Sequence, residues 1–242
     1  MQETSTTKSS ATIATLLIVA YFGVAAVEIA AEFLNDAMLV RYAKPWLMPI
    51  LATLYLCTSK KRNLLFLSAL ILTWIANMLF ISKDFNFIII GTLFFTTYRI
   101  LIIFLVIRLV RVPGIIPLFI GCLPFLFIYL FVINLTYDEL KEGFWLFVFQ
   151  GIFTIIFGGL SLGNYIFKSN KANTYLLIST MLFTFTQFLF VIRLFYVSLN
   201  IFQPLAMLLY VVAQFMLYKF IVLEENKLAR HENINGTKQK TV

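Results

Sequence analysis

Five charged side chains interrupt or adjoin runs of sequence that are otherwise apolar: Glu28 and Glu32 in the first run, Lys44 at the entrance to the second, Arg99 in the fourth and Arg193 in the seventh. Carboxylates can move a proton or stabilise a developing positive charge. Ammonium and guanidinium groups can hold a phosphate, Arg as a two-pronged donor. Around them stand neutral hydrogen-bonding groups, Asn77, Tyr98, Gln150, Thr186, Gln187, Tyr210 and Gln214. Other chemistries are poorly provided for. His231 is the single histidine and falls in a polar tail, which argues against a His-based metal site or a catalytic dyad. Cys57 and Cys122 lie in apolar runs without metal-ligand spacing and read as free, packed thiols. There is no G-x-S-x-G, Walker loop or H-E-x-x-H, and no cofactor signature. Any reaction must come from carboxylates, amides, tyrosines and arginines.

The elements that position these groups are membrane helices. Hydrophobic residues make up 61% of the chain and charged residues 12%, too apolar a balance for a water-soluble fold. Several runs reach the ~20 residues that cross the hydrocarbon core as a helix. The expected fold is therefore all-α, a polytopic transmembrane helix bundle of about eight spans. The spans are read at residues 11–33, 45–57, 63–82, 87–109, 113–135, 144–167, 174–196 and 202–223. Residues 1–10 form an N-terminal polar tail, 11–223 one membrane domain, and 224–242 a C-terminal polar tail, disordered after a short helical continuation. The first run is read as a retained span rather than a signal peptide, because only Lys8 precedes it and the run is long.

A formal charge of +8 brings nucleic acid to mind, but the basic residues sit in short breaks between apolar runs, which is an orientation signal. With eight spans, one side collects Lys8, Lys60, Lys61, Arg62, Arg108, Arg111, Lys168, Lys171, Lys227, Arg230, Lys238 and Lys240, twelve of the 19 Lys and Arg. The opposite side holds Arg41, Lys44, Lys83 and Lys141, with Asp138, Glu139 and Glu142 beside the last. Both termini are expected to be cytoplasmic, and no nucleic-acid partner is expected.

Ionisable groups at membrane depth need a partner or water. Most of the polar groups above fall between the midplane and the outer boundary, which points to one water-accessible pocket. The plain alternative is that the amides and tyrosines join helices, at about 0.6–2 kcal/mol each. A Glu28–Arg99 pair at depth is a costly way to join helices, so those two are read as functional; Arg193 and Lys44 are equally well placed to snorkel.

Four stretches resemble the YhhN family, the bacterial relatives of lysoplasmalogenase. Arg41-Tyr42-Ala43-Lys44-Pro45-Trp46-Leu47-Met48-Pro49 is similar to the family's Lys-Pro entry to helix 2. Thr73-Trp74-Ile75-Ala76-Asn77-Met78-Leu79 resembles its Ser-x-x-Gly-Asp segment, and Leu209-Tyr210-Val211-Val212-Ala213-Gln214 matches its Tyr-x-x-Ala-Gln. Thr186-Gln187-Phe188-Leu189-Phe190, with Phe195 beyond it, stands at the second Ser-Asp. The resemblance implies an eight-helix protein of the bacterial plasma membrane that cleaves the vinyl-ether bond of a lysoplasmalogen, releasing a fatty aldehyde. Two embedded Asp residues would deliver the proton and stabilise the oxocarbenium. This chain departs from the family at both: Asn77 and Gln187 occupy the acid positions, and Arg99 the helix-4 position that is usually His. An amide neither donates an acidic proton nor holds negative charge. Glu28 and Glu32 are the carboxylates left to stand in, with Lys44, Arg99, Arg193, Tyr98, Tyr210 and Gln214 as substrate-binding groups. The expected ligand is a lysophospholipid or related membrane lipid, with no metal and no cofactor. The rival readings are a non-catalytic lipid-binding protein, a small proton-coupled transporter using Glu28 and Arg99, and a membrane scaffold.

Overall fold

The apolar runs become helices, and a polar residue just before the run sets the start of four of them. The computed structural model describes residues 2–82, 84–110, 112–137, 144–197 and 199–239. Among them the regular elements are eight α-helices: α1 (Gln2–Phe33), α2 (Ala37–Thr58), α3 (Leu64–Leu79), α4 (Phe85–Leu109), α5 (Ile115–Thr136), α6 (Phe144–Phe167), α7 (Lys171–Phe195) and α8 (Phe202–Gln239). Asp36, Asn63, Asp84 and Asn170 cap α2, α3, α4 and α7 by accepting from backbone N–H groups of the first turn. Lys83, Arg111, Lys141 and the acids Asp138, Glu139 and Glu142, counted above for orientation, lie outside the described residues.

The Asp36 cap, with bonds of 3.0 and 3.1 Å from Met38 N and Leu39 N, starts α2 eight residues before the expected 45. Arg41 and Lys44 are therefore helical and not loop residues. Pro45 and Pro49 both sit inside this helix. Proline at 49 has no N–H to give the carbonyl one turn back. That carbonyl, Pro45 O, accepts instead from the Trp74 indole of α3 at 2.9 Å. A neighbouring helix thus re-satisfies a backbone group that the bilayer could not.

Neighbours in sequence pack as pairs, α1 with α2, α3 with α4, α5 with α6 and α7 with α8. α8 also meets α1, α2 and α4, which makes it the strut of the bundle. α5 and α6 approach through glycine: a Cβ on Gly159 would sit 2.2 Å from Cys122 Sγ, and one on Gly121 2.7 Å from Gly159 O. This is the close approach that small residues permit in membranes.

At the far end of α8 the expected tail is ordered differently. The helix runs on to Gln239, and Glu224 and Glu225 are buried where the polar tail was to begin. The Glu225 carboxylate accepts from Tyr55 Oη at 2.8 Å and Ser59 Oγ at 2.5 Å, so that α8 is tied to the end of α2. α1 likewise starts at Gln2, within the segment read as an N-terminal tail.

Six helices are long and apolar enough to cross a membrane: residues Ala11–Phe33 of α1, α4, α5, α6, α7 and Phe202–Ala229 of α8. α3 is apolar but has 16 residues, and α2 has 22 residues but is less apolar. Large apolar side chains cover the outside, with Ile115 86%, Trp145 78% and Phe127 74% exposed. Such a surface is a liability in water and ordinary against lipid tails.

Candidate functional site

Polar side chains from seven helices converge at the end of the bundle that carries the α1–α2, α3–α4 and α7–α8 turns. There they line two cavities that adjoin a third. The middle cavity, partly open, is lined by Lys44, Asn77, Gln150, Thr186, Gln187, Gln203 and Tyr210 among the rings of Phe80, Phe95, Phe183 and Phe190. Beside it lies a charged cavity with Glu32, Asn35, Arg41, Arg193 and, shared with the first, Phe80 and Gln203. The third is walled by apolar side chains such as Ile88, Ile89, Leu146 and Leu194, and shares Thr92, Gln150 and Phe190 with the middle one.

Two hydrogen-bond clusters form the walls of the middle cavity. In the first, the Tyr210 hydroxyl of α8 accepts from Asn77 Nδ2 at 2.8 Å and Gln214 Nε2 at 3.3 Å, and pairs with Thr73 Oγ1 at 2.8 Å. Tyr98 in turn donates to Gln214 Oε1 at 3.1 Å. In the second, Gln187 Oε1 accepts from Arg99 at 2.6 Å and Thr154 Oγ1 at 2.7 Å, while its Nε2 donates to Gln150 Oε1 at 3.0 Å. Arg99 also donates to Thr154. Gln187 uses both its oxygen and its nitrogen and Asn77 its nitrogen, as no carboxylate could: a carboxylate at 187 would have nothing to give Gln150, and one at 77 nothing to give Tyr210 unless protonated.

The third cluster is charged. Lys44 Nζ lies 3.1 Å from Glu32 Oε1 and 3.4 Å from Glu28 Oε1. Gln203 Nε2 donates to Glu32 Oε1 at 3.3 Å, and Arg193 donates to Gln203 Oε1. A continuous polar path thus runs Arg193–Gln203–Glu32–Lys44–Glu28.

Asn77 and Gln187, expected to face one another from helices of the same direction, line one cavity, and Lys44 and Tyr210 line it with them. Arg99, Tyr98 and Gln214 stand behind its walls. Arg193 and Glu32 line the adjoining charged cavity. The expected Glu28–Arg99 pair does not form. α1 packs on α2 and α8, so Lys44 of the α1–α2 hairpin is the cation that reaches Glu28, while Arg99 turns to Thr154 and Gln187. The transporter reading that used that pair loses its basis. Glu32 lines the adjoining charged cavity and Glu28 lines neither, so the two carboxylates do not share the cavity that positions 77 and 187 line.

Three contributors went unread in the sequence. Thr154 carried one legible signal, its place four residues after Gln150 on the same helix face. Gln203, inside the first turn of the last span, joins two cavities. Arg41 had been placed in a loop.

A bundle of apolar helices with a polar, cavity-bearing interior defines a multi-pass α-helical membrane protein. The YhhN family is matched over residues 39–221, and the chain belongs to that family. No curated protein and no solved structure matches it.

Proposed function

We propose that this YhhN-family protein binds a single-chain phospholipid and does not cleave a vinyl ether. The observation that carries the reading is the row of three cavities joined by shared side chains, charged at one end, amide-lined in the middle and apolar at the other. A lysophospholipid has that same order of chemistry: a phosphate head, a glycerol linkage and one acyl or alkenyl chain. Arg41, Arg193 and Lys44 supply charge for the phosphate, as expected of cations near a polar cavity. The amides and Tyr210 offer donors and acceptors to the linkage, and the wall of Ile88, Ile89, Leu146 and Leu194 suits the chain.

Vinyl-ether hydrolysis needs a proton at the double bond and a negative charge near the cation that follows. No carboxylate lines the middle cavity among the described residues. Asn77 and Gln187 give hydrogen bonds there but neither an acidic proton nor a charge.

Eight crossings with both termini on the cytoplasmic side of the cell membrane belong to the same proposal. The turn holding Lys60, Lys61 and Arg62 supports it, being exposed at the end opposite the cavities. Labelling of single cysteines introduced at residues 35 and 61, from outside intact cells, tests it: residue 35 should react and residue 61 should not.

The functional test is mass spectrometry of purified protein incubated with a lysoplasmalogen and with an ester lysophospholipid, alongside an Asn77→Asp/Gln187→Asp double variant. The expected result is co-purifying lysophospholipid and no aldehyde from the wild type. Aldehyde from the wild type would overturn the non-hydrolytic half. Failure to retain either lipid would overturn the binding half. Aldehyde from the double variant alone would mean that the cavity keeps the family's geometry and lacks only its acids.

A further inference from the structure

Lys44 has a single charge and three claims on it. Two are Glu32 and Glu28, at 3.1 and 3.4 Å; the third is the middle cavity, which its side chain lines. Lys44 is 2% exposed and Glu28 0%. The two carboxylates are not equally held. Glu32 also accepts from Gln203, whereas neither Glu28 oxygen receives a hydrogen bond. Lys44 thus divides one charge between Glu32, which is partly exposed at 15%, and Glu28, which is set in a medium that tolerates no unpaired charge. The titratable groups that face Glu28 are Lys44 from α2, Glu32 and Tyr21 from α1, and Tyr210 from α8, and Lys44 is the sole cation among them.

We propose that an anionic head group entering the cavity takes the Lys44 ammonium from Glu28, and that Glu28 takes up one proton from solvent as it loses that partner, so that lipid binding is coupled to proton uptake. The inference rests on the amphiphile-binding reading above. Glu28 and the ligand's phosphate compete for one cation. A protonated Glu28 is neutral and no longer competes, whereas an ionised one must be left bare if the phosphate wins. A buried carboxylate without a partner neutralises itself by protonation. Glu32 keeps its Gln203 donor and can stay with Lys44. Raising the pH therefore opposes binding of an anionic head and leaves a neutral head indifferent.

The test is isothermal titration of the full-length protein in dodecyl maltoside with two probes of equal chain length. One is lysophosphatidylglycerol, whose phosphodiester keeps its charge across the pH range; the other is an uncharged monoacylglycerol. For the phospholipid the dissociation constant should rise by up to about tenfold per pH unit once Glu28 is ionised, the limit for one linked proton. Repeating the titration in two buffers of different ionisation enthalpy should count about one proton taken up per lipid in that range. The monoacylglycerol should bind with an affinity that does not change with pH. Glu28→Gln, which keeps size and removes charge, should bind the phospholipid tightly at every pH. Affinity for lysophosphatidylglycerol that is flat with pH in the wild type would overturn the coupling and leave lipid binding intact. A pH dependence that survives in Glu28→Gln would overturn the role of Glu28, and failure of both probes to bind would overturn the coupling together with the lipid reading. The wild-type titrations decide the question even if the variant does not fold.

Discussion

Glu28 and Glu225 are both buried glutamates, 0% and 1% exposed, at opposite ends of the bundle. Glu225 is surrounded by donors. Tyr55 Oη reaches both of its oxygens, at 2.8 and 3.1 Å, and Ser59 Oγ reaches one at 2.5 Å. The same Tyr55 oxygen accepts from Asn63 N at 2.7 Å, so the carboxylate organises the α2–α3 turn and joins it to α8. Glu28 receives no hydrogen bond and leans on the charge of Lys44. Burial is common to both, and satisfaction separates them. A fully donated carboxylate is a clasp, while one held by charge alone remains open to a change of partner or of protonation.

Variants at the two ends should break along that line. The largest effect is expected from Lys44→Met, which strands Glu28 and Glu32 without their cation. Removing one partner of a buried ion pair costs about 3–5 kcal/mol, read as a lowered unfolding midpoint in detergent together with loss of lysophospholipid binding. Gln187→Leu comes next. It removes the acceptor of Arg99, which then keeps Thr154 alone. A buried charged donor left short costs about 3 kcal/mol or slightly less, and the same unfolding assay should show it, with weakened lipid retention. At the other end, Glu225→Ala leaves the Tyr55 and Ser59 hydroxyls without their acceptor, a loss of about 2 kcal/mol. Here lipid affinity should stay at the wild-type value, and a matching loss of affinity would erase the distinction between the two ends. The smallest effect is expected from Trp74→Phe, which withdraws one donor from Pro45 O for about 1 kcal/mol, measurable as a small shift in the same midpoint.

The sequence made the helices legible because apolar length alone identifies them, and family-like spacing brought Asn77, Gln187, Lys44 and Tyr210 to one cavity. Depth along a span can be counted from residue number, which is why these four were found. The direction in which a side chain points around the helix axis, and the helix it meets there, cannot be counted in the same way. Glu28 and Arg99 are both charged and at membrane depth, yet Glu28 meets Lys44 while Arg99 meets Gln187 and Thr154. Gln203 and Thr154 escaped for a related reason: each matters through a partner on a helix distant in sequence. The start of α2 differs from the expected 45 because Pro45 at the head of the apolar run reads as a boundary, with Pro49 one turn further in. The Asp36 cap and the Trp74 indole together allow the helix to run through them.

The Trp74–Pro45 bond has an optical consequence. The accepting carbonyl belongs to the residue immediately after Lys44, and the chain contains three tryptophans, Trp46, Trp74 and Trp145. A shift of the Lys44 turn changes the polarity and hydrogen bonding sensed by the Trp74 indole. With Trp46 and Trp145 replaced by phenylalanine, the emission maximum of the remaining indole becomes a native fluorophore that reports on the ammonium one residue away, with no label added to the protein.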